Sequence, residues 1–505
     1  MTNQTTLIIA LLALISPDVA AAEQHAGPPA ATVITNVDVI SGHLDQVQTN
    51  RDVFIKNGKL CAIVPAGTVE NMCDVSDYQV VDGSGKFLIP GLIDSHVHLG
   101  HNPIINRAKA QEYEHLIDGY KRQLPRSYLY HGFTSLIDLD YSAERNAWPA
   151  DAEHVPSVYH CGRGVRVAGG YGPAFVPPHI AHRVFPNLVY EDSHKDTWPV
   201  ELDPAAYTVE AAVDRVLKSG AICLKTYVES GFGGTFDWPV PSAEILLQLA
   251  AEAHNHGLVF VVHANSADAW NSAVDAGADV IAHGMWHWEG ARTDPNLTGS
   301  ARLAISAAAN AGVAVQPTMR VVEGERSTLT WDLLDDDRLE HVLSRNLRSF
   351  LESDEGRWSQ REMIELYREH NPDPQTTPAS LIESSINRAS ASMAEFHAIG
   401  GKLLFGTDTP AQDGPGNPPG LNGYLELESW ARAGIPLAEI FRSATVENAR
   451  MFGLEARIGT IEAGKRADLV LLNSNPLQDV KAYNDISLVI LDGEPIERRD
   501  LSADD

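Results

Sequence analysis

Eight short apolar runs, each followed by polar or amphipathic sequence, occupy the middle of the chain. Runs of this length are typical of strands that are buried on both faces, and the longer alanine-rich stretches between several of them are typical of helices. Eight strands separated by helices predict an α/β fold of the parallel (β/α)8 type, a TIM barrel, over residues 90–456. A doubly wound sheet is the alternative. The runs are LIPGLIDSHVH, FTSLIDLD, VPSVYHCG, GAICLKTYV, GLVFVVHAN, ADVIAHG, GVAVQPT and GKLLFGTD.

The two ends of the chain have a different pattern. Residues 23–89 and 457–505 contain short stretches in which apolar and polar positions alternate, separated by Gly and Asn. Alternation with a period of two predicts strands with one buried face. We therefore expect both ends to fold together as one small β-sandwich domain beside the barrel.

The barrel segment is longer than the roughly 250 residues that such barrels usually need. The excess lies in two insertions, at about 162–220, rich in Pro, Gly, His and aromatic residues, and at about 318–401, with an acidic, helical pattern. Because both follow predicted strands, we expect them to rise over the face where barrel enzymes hold their active sites. For the second insertion, surface helices without a role in the site are the alternative.

Residues 1–22 have the pattern of a secretory signal peptide. The apolar run Leu7 to Ile15 is too short to span a bilayer of roughly 30 Å, and the small residues at 20–22 suit cleavage. We expect a periplasmic or secreted protein with no membrane association after cleavage. The basic segment that usually begins a signal peptide is missing, since no Lys or Arg precedes Arg51. A disordered N-terminus on a cytoplasmic protein is the alternative.

Charge and cysteine usage exclude two kinds of site. With 38 Lys and Arg against 67 Asp and Glu, the formal net charge is −29, which repels phosphate backbones and makes nucleic acid an unexpected partner. The four cysteines form no Cys-x-x-Cys pair, which argues against a cysteine zinc site. Cys61 and Cys73 flank a short turn-like segment and are predicted to form a disulfide. Cys161 and Cys223 lie in apolar runs and are predicted to be buried free thiols.

Side chains of the metal-ligand type follow several predicted strands. His96 and His98 end the first run two residues apart, so a strand would point both the same way. Such a pair alone is uninformative, because a second one, His254 and His256, falls at a predicted surface helix end. Strand ends meet at one face of a barrel, so further ligand types there predict a metal site. They are Lys225, His263, His283 and Asp408.

These motifs resemble the amidohydrolase superfamily. The resemblance rests on PGLIDSHVH at 90–98, HAN at 263–265, HG at 283–284, GTD at 406–408 and the closing segment at 448–477. The order His-x-His, Lys, His, His, Asp is similar to the imidazolonepropionase-like branch, which includes secreted Xaa-Pro dipeptidases and ochratoxin-type amidases.

The resemblance implies two divalent metal ions, for which Zn²⁺ is the expected element. One would be held by His96, His98 and Asp408, the second by His263 and His283, with a carboxylated Lys225 as the bridge. A metal-bridging hydroxide would attack an amide or peptide-like C–N bond, while Asp408 moves the proton. An ester, lactone or phosphotriester hydrolase on the same cage, and a non-catalytic binding protein, are the alternatives.

Candidate substrate contacts are less specific. Tyr171 stands in Gly-Gly-Tyr-Gly, where many relatives have Gly-Gly-His-Gly, and this departure weakens a dipeptidase assignment. By resemblance, Tyr227 is a contact for a substrate carboxylate. Arg163, Arg166 and Arg320 are available cations, and His287 is expected to line the pocket wall. A small molecule or dipeptide-like compound is the expected substrate, and self-association into a homo-oligomer stays open.

Overall fold

The structure is a computed structural model that describes residues 31–42, 47–68, 72–75, 77–142, 148–289, 294–370, 377–411 and 414–503. The predicted signal peptide, residues 1–22, lies outside the described residues. Within them, no helix is both long enough and apolar enough to cross a membrane.

The strands are short, as expected for a barrel with an added sheet. They are β1 (Thr32–Val39), β2 (Gln48–Lys56), β3 (Lys59–Pro65), β4 (Gln79–Asp82), β5 (Phe87–Pro90), β6 (Leu92–Val97), β7 (Phe133–Asp138), β8 (Ser157–His160), β9 (Arg166–Val167), β10 (Leu188–Val189), β11 (Cys223–Tyr227), β12 (Val259–His263), β13 (Val280–Ala282), β14 (Ala314–Gln316), β15 (Leu469–Leu472), β16 (Ile486–Leu491) and β17 (Glu494–Glu497).

The α-helices lie mainly between the barrel strands and in the insertions. They are α1 (Glu114–Tyr130), α2 (Pro178–Val184), α3 (Val209–Lys218), α4 (Ala243–Asn255), α5 (Ala267–Ala276), α6 (Gly299–Ala311), α7 (Met319–Thr330), α8 (Arg345–Glu352), α9 (Trp358–His370), α10 (Pro378–Ala398), α11 (Leu421–Arg432), α12 (Leu437–Arg442) and α13 (Asn448–Met451).

Several barrel helices begin and end at residues that suit those positions. The side chains of Ser242, Ser266 and Thr298 accept the backbone N–H of the third helical residue at the start of α4, α5 and α6. Helices α5 and α6 end at Gly277 and Gly312, with φ of 81° and 73°. Glycine adopts this left-handed conformation without a steric penalty, so the helices stop there.

Seven of the predicted runs form regular parallel strands. β6, β7 and β8 make one ladder, and β11, β12, β13 and β14 make another. The two ladders meet where the Ile222 N–H donates to the His160 carbonyl at 2.9 Å.

The eighth run closes the barrel as an extended segment without a continuous ladder. Leu404 N–H donates to the Val315 carbonyl, and His98 N–H donates to the Thr409 carbonyl, both at 2.8 Å. Asp408 has φ of 60°, outside the region of strands, so regular pairing stops there. The TIM-barrel prediction is confirmed, and the doubly wound alternative is wrong.

The two chain ends form one sheet of eight strands. Its order is β17-β16-β15-β5-β1-β2-β3, with β4 paired to β1. Its core is aliphatic, and Ile34, Val53, Leu471 and Ile490 have no exposed surface. The prediction that both ends fold together is confirmed. We call this element the terminal sheet.

The cysteines give one agreement and one correction. Cys61 is bonded to Cys73, as predicted. Cys161 and Cys223 are bonded to each other, so the prediction of free thiols is wrong. They lie at the junction of neighbouring strands, just after β8 and at the start of β11, with Cα atoms 4.3 Å apart. Both side chains face the barrel interior, which brings residues 62 positions apart into contact.

Candidate active site

The six candidate ligands lie at the carboxyl ends of the barrel strands. All are buried except His98, which is partly exposed. His283 follows β13, and Asp408 lies in the extended eighth segment. Because parallel strands end at one face, ligands from five different strands converge there.

The tightest group is formed by His96, His98 and Asp408. The Nε2 atoms of His96 and His98 lie 2.9 Å and 2.8 Å from Asp408 Oδ1. One ligand atom from each of the three residues fits within 4.8 Å of the others, close enough to share one ion. Two imidazoles and a carboxylate suit borderline divalent metals.

His283 and His263 lie against this group. Their ring centroids are 4.4 Å apart, and the His283 ring is 5.1 Å from that of His96. His283 Nδ1 lies 2.9 Å from Thr318 Oγ1, which leaves Nε2 for a metal. His263 Nε2 lies 3.5 Å from Glu229 Oε2, which leaves Nδ1. A partner on the second ring nitrogen is typical of metal-ligating histidines.

Lys225 is buried beside the histidines with its amine unsatisfied. The residue is 1% exposed, and Nζ has no hydrogen-bond partner among the described residues. Burial lowers the pKa of Lys225 to about 7 and outweighs the opposing effect of Asp408, and the charge of Arg166 lowers it further. An unpartnered buried amine is costly, so this position fits a lysine that is modified or bound in the working enzyme.

Burial and the neighbouring charges put His96 and Asp408 in the protonation states that metals need. Burial would lower the pKa of His98, but contact with Asp408 outweighs it and raises that pKa, so His98 would release a proton when a metal binds. Burial lowers the pKa of His96 to about 3, so its imidazole is neutral. Burial alone would raise the pKa of Asp408, but His96 and His98 outweigh it and hold that pKa well below its ordinary value. Neutral imidazoles and an ionised carboxylate are the ligating forms, so the residues present fit a divalent ion.

The backbone at the site is held in an uncommon conformation. His283, Thr318 and Asp408 have φ of 90°, 44° and 60°. Left-handed φ is unfavourable for residues with a side chain, and especially for a β-branched residue such as Thr318. Positions of this kind concentrate at functional sites, where the surrounding structure maintains them.

Comparison with known proteins identifies the family. Residues 87–496 match the amidohydrolase family, which is well over half of the 505 residues. The chain belongs to the amidohydrolase family. It is therefore a metal-dependent hydrolase of that family, with His96, His98 and Asp408 as a metal-binding group.

Curated relatives match this amidohydrolase only over short segments. The adenine deaminase of Ruegeria sp. (strain TM1040) is 35% identical over 86 residues, which are 16% of this chain and 14% of that protein. The chain thus spans a small part of the curated relative, whose name describes that protein alone.

Solved structures match over almost the whole chain. A Xaa-Pro dipeptidase with methionine bound in its active site has a TM-score of 0.61 and 22% identity, covering 92% of this chain and 100% of that one. The ochratoxinase of A. niger has a TM-score of 0.64 and 19% identity, covering 93% and 96%. At this identity the likeness shows the fold, and the neighbours belong to the branch that the motif order predicted.

Of the candidate substrate contacts, two tyrosines lie beside the histidines, whereas the others contact surrounding parts of the protein. Tyr171 and Tyr227 stack at 5.5 Å, and their rings lie 4.6 Å and 5.8 Å from His263. His287 lies behind the loop that follows β11, where a side chain at Gly233 would come within 2.8 Å of its Nδ1. Arg163 is occupied by protein atoms, because its Nη2 donates to the Val184 carbonyl at 2.7 Å.

The other two arginines are also engaged. Arg166 donates to Asp140 at 3.0 Å and covers the Tyr227 ring at 3.9 Å. Arg320 is buried, with an ion pair to Glu323 at 3.2 Å and a hydrogen bond to Asn422. Of the three cations, Arg166 is therefore the one next to the site, held through Tyr227.

Sequence reasoning missed three residues that support the ligands. Asp94 accepts hydrogen bonds from Thr407 Oγ1 at 2.7 Å and from the His96 N–H at 3.2 Å, which ties the first strand to the eighth segment. Thr318 and Glu229 contact His283 and His263. A signal existed for Glu229, because it follows Lys225 and Tyr227 in alternation, on the same side of an extended chain.

Proposed function

We propose that this amidohydrolase uses two divalent metal ions to cleave the C–N bond of small amides or dipeptide-like compounds. One observation supports the proposal above the others: ligand-type residues from four barrel strands and the eighth segment converge at one face, and three of them are close enough to share one ion. His96, His98 and Asp408 would hold one ion, and His263 and His283 the other. Bound together, two such ions lower the pKa of water and polarise a scissile carbonyl.

Asp408 is the residue that moves the proton. Its Oδ1 faces His96 and His98, whereas Oδ2 is 3.9 Å from His283 Nδ1 and is less engaged. We propose that Oδ2 accepts a proton from the attacking water and then delivers this proton to the leaving nitrogen. Two of the solved neighbours, a Xaa-Pro dipeptidase and an ochratoxinase, support an amide or peptide-like substrate.

Lys225 would serve as a carbamate. Its neutral amine attacks CO₂, a N–C bond forms as one C–O π bond breaks, and one proton is released, so that a neutral side chain becomes an anionic one with two oxygens. The buried, unpartnered Nζ supports this assignment. An ammonium group between two dications would be repelled by both.

Metal analysis and one substrate screen test the proposal together. Elemental analysis should find about two divalent metals per chain after reconstitution with Zn²⁺, Mn²⁺ or Co²⁺. Matched amide and ester pairs, built on dipeptides, N-acyl amino acids and cyclic amides, should show turnover of the amide. Turnover of the ester alone would favour the ester, lactone or phosphotriester alternative, and a metal-free inactive protein would contradict the proposal.

The carbamate has a separate test. Lys225→Ala should lose most activity and much of the second metal, and short carboxylic acids at high concentration should restore part of both. An unmodified Lys225 in a fully active, metal-replete sample, measured by intact mass under non-acidic conditions, would refute it. Lys218→Ala, an exposed lysine on α3, is the matched control and should change neither property.

We also propose that the protein works outside the cytoplasm. Two disulfides among the described residues support an oxidising compartment. N-terminal sequencing of protein from the periplasmic and culture fractions should find the chain beginning near residue 23. Full-length protein confined to the cytoplasm would contradict this.

A further inference from the structure

A set of aromatic side chains lines the mouth of the barrel beside the histidines. They come from the first insertion and from the loop after β11, and we call them the aromatic wall: Tyr171, Phe175, Phe232, Phe236 and Trp238. Phe175 is 53% exposed, and the other four are partly exposed. Several adjoining aromatic rings left open to solvent are more typical of a binding surface than of a packed core.

The wall is continuous with the metal-binding group. The Tyr171 ring lies 4.6 Å from the ring of His263. From Tyr171 the rings continue outward to Phe232 at 6.0 Å, to Trp238 at 6.1 Å and to Phe175 at 5.1 Å. A molecule with a reacting group at the histidines would therefore place its next substituent against these rings.

The wall also joins the two insertions. Phe236 stacks on Trp238 at 4.5 Å and contacts His370 of α9 at 4.9 Å. The loop itself is shaped by glycines, with φ of 132° at Gly231 and 69° at Gly233. A Cβ at Gly231 would come within 2.4 Å of the Phe236 carbonyl oxygen, so the loop conformation depends on that glycine.

We infer that the aromatic wall is a substrate subsite for an aromatic or large apolar group next to the scissile bond. This inference rests on the proposed function, because it specifies which amides the site accepts. Ring faces stack on such a group, and burial of the ring removes apolar surface from water.

Ligand binding tests the subsite without any need for turnover. Acetate and phenylacetate share a carboxylate that binds metals and differ by one ring, so their dissociation constants can be compared by calorimetry on the metal-reconstituted protein. We expect phenylacetate to bind at least about tenfold more tightly. Trp238→Leu should remove most of that ratio, and Phe232→Leu should reduce it.

Trp198→Leu is the matched control. Trp198 belongs to the same insertion as Tyr171, but it packs on Tyr190 and Tyr207, apart from the wall. It should keep the wild-type ratio. Equal binding of both acids to the wild type, or an unchanged ratio in both wall variants, would overturn the subsite. A preserved ratio in a protein that cleaves no amide would contradict only the proposed function.

A different observation concerns Glu229, which is 4% exposed. Its Oε1 accepts the N–H groups of Gly231 at 2.7 Å and Phe232 at 2.6 Å, and its Oε2 faces His263 Nε2 at 3.5 Å. One carboxylate therefore links the loop of the wall to a candidate metal ligand.

The link has a consequence for the tautomer of His263. Glu229 Oε1 already accepts two backbone N–H groups, and Oε2 faces His263 Nε2. Because a carboxylate oxygen accepts, this contact favours the proton on Nε2 and leaves the lone pair of Nδ1 for a metal. We propose that Glu229 is a positioning residue that selects this tautomer and thereby supports metal binding at His263. This second inference also rests on the proposed second metal site.

Glu229→Gln separates the two contacts of the carboxylate. The Gln oxygen can still accept the loop N–H groups, while its amide donates to Nε2 and moves the imidazole proton to Nδ1, where it blocks ligation. Co²⁺ titration, followed by absorption with a competing chelator, should show the second site weakened about 10- to 100-fold and the first site unchanged. The part of the tryptophan fluorescence that Trp238→Leu removes should stay that of the wild type, because the loop is retained.

Glu191→Gln is the matched control, since Glu191 also accepts a backbone N–H, from Ser242 at 3.2 Å, and faces a histidine outside the site, His194 at 3.7 Å. It should leave both sites intact. In a His263→Ala background, Glu229→Gln should have no additional effect on metal affinity. Wild-type affinity at both sites in Glu229→Gln would overturn the role, whereas a wild type with one metal would contradict the proposed function instead.

Discussion

The barrel mouth and the terminal sheet are both built from short strands, but their interiors are opposite in character. Ile34, Val53 and Ile490 fill the terminal sheet and have no exposed surface. At the mouth, the equally buried positions are His96, whose imidazole faces the Asp408 carboxylate at 2.9 Å, and Lys225, whose amine has no hydrogen-bond partner among the described residues. The terminal sheet buries apolar side chains, whereas the mouth buries polar side chains that water would otherwise solvate.

The backbone shows the same contrast. In the two chain ends that form the terminal sheet, the left-handed residues other than glycine are mostly Asn or Asp, such as Asn36 and Asn57, which tolerate that conformation in turns and bulges. At the mouth they are His283, Thr318 and Asp408. Left-handed residues with bulky side chains and a buried amine without a described partner thus occur together at the candidate active site, and the regular parts of the fold maintain them.

The largest expected effect is at the mouth. Asp408→Asn keeps the shape of the side chain and tolerates φ of 60°, but it removes the base, so kcat should fall by about 10²- to 10⁴-fold with little change in the fold. Steady-state kinetics on metal-replete protein measure this. Asp38→Asn is the control. The Asp38 carboxylate accepts the Asn50 N–H in the terminal sheet, so this variant should retain full activity. Near-normal kcat in Asp408→Asn would contradict the assignment of Asp408 as the base, and the barrel mouth would no longer differ from the terminal sheet in function.

The two disulfides allow a stability comparison between the regions. Replacement of Cys161 and Cys223 by Ala opens a loop of 62 residues and should cost about 4 kcal/mol in the chain-entropy relation. Replacement of Cys61 and Cys73 opens one of 12 residues and should cost about 3 kcal/mol. Urea unfolding measures both losses. Four reactive thiols in denatured, unreduced protein from its export route would show that neither bond forms.

A core substitution in the terminal sheet should separate stability from chemistry. Ile490→Ala removes a side chain without exposed surface and should lower the free energy of unfolding by about 2–4 kcal/mol. Metal content and kcat of the remaining folded protein should equal those of the wild type. Val80→Ala, on the same sheet but 66% exposed, is the control and should cost far less. Loss of metal in Ile490→Ala would show that the two regions are coupled.

The smallest expected effect is the pH dependence of stability that comes from His131, a buried residue away from the mouth. His131 is buried between α1 and β7, neither ring nitrogen has a described partner, and burial together with Arg498 holds its pKa well below the ordinary value. The His131 imidazole takes up a proton near pH 6.5 in the unfolded chain but not in the folded protein. Burial of this imidazole therefore lowers the free energy of unfolding as the pH falls below about 6.5 and has no such effect at higher pH. The loss is about 1.4 kcal/mol per pH unit, or about 2 kcal/mol at pH 5.

His131→Leu should remove that acid-side slope, as measured by the free energy of unfolding between pH 8 and pH 5. His115→Leu, on the exposed side of α1, is the matched control and should keep the slope. An unchanged slope in His131→Leu would mean that the imidazole is protonated in the folded protein.

The sequence by itself determined the barrel, the joining of the two ends and the identity of the six candidate ligands. The reason is periodicity: apolar runs reveal buried strands, and strands that run parallel bring their last residues to one face. A His or Asp at such an end, as at His263, becomes a candidate ligand because other ligand types occupy the ends of further predicted strands. The Cys61–Cys73 bond was predictable because its partners are close along the chain.

Only the tertiary structure decided which distant residues meet. Asp94 and Thr407 are 313 positions apart, and nothing local to either one indicates the other. The Cys161–Cys223 bond and the contact of Thr318 with His283 depend in the same way on strand adjacency. Local sequence carries the burial pattern of a segment, but a side chain's partner is set by the closure of the whole barrel, which no single segment contains.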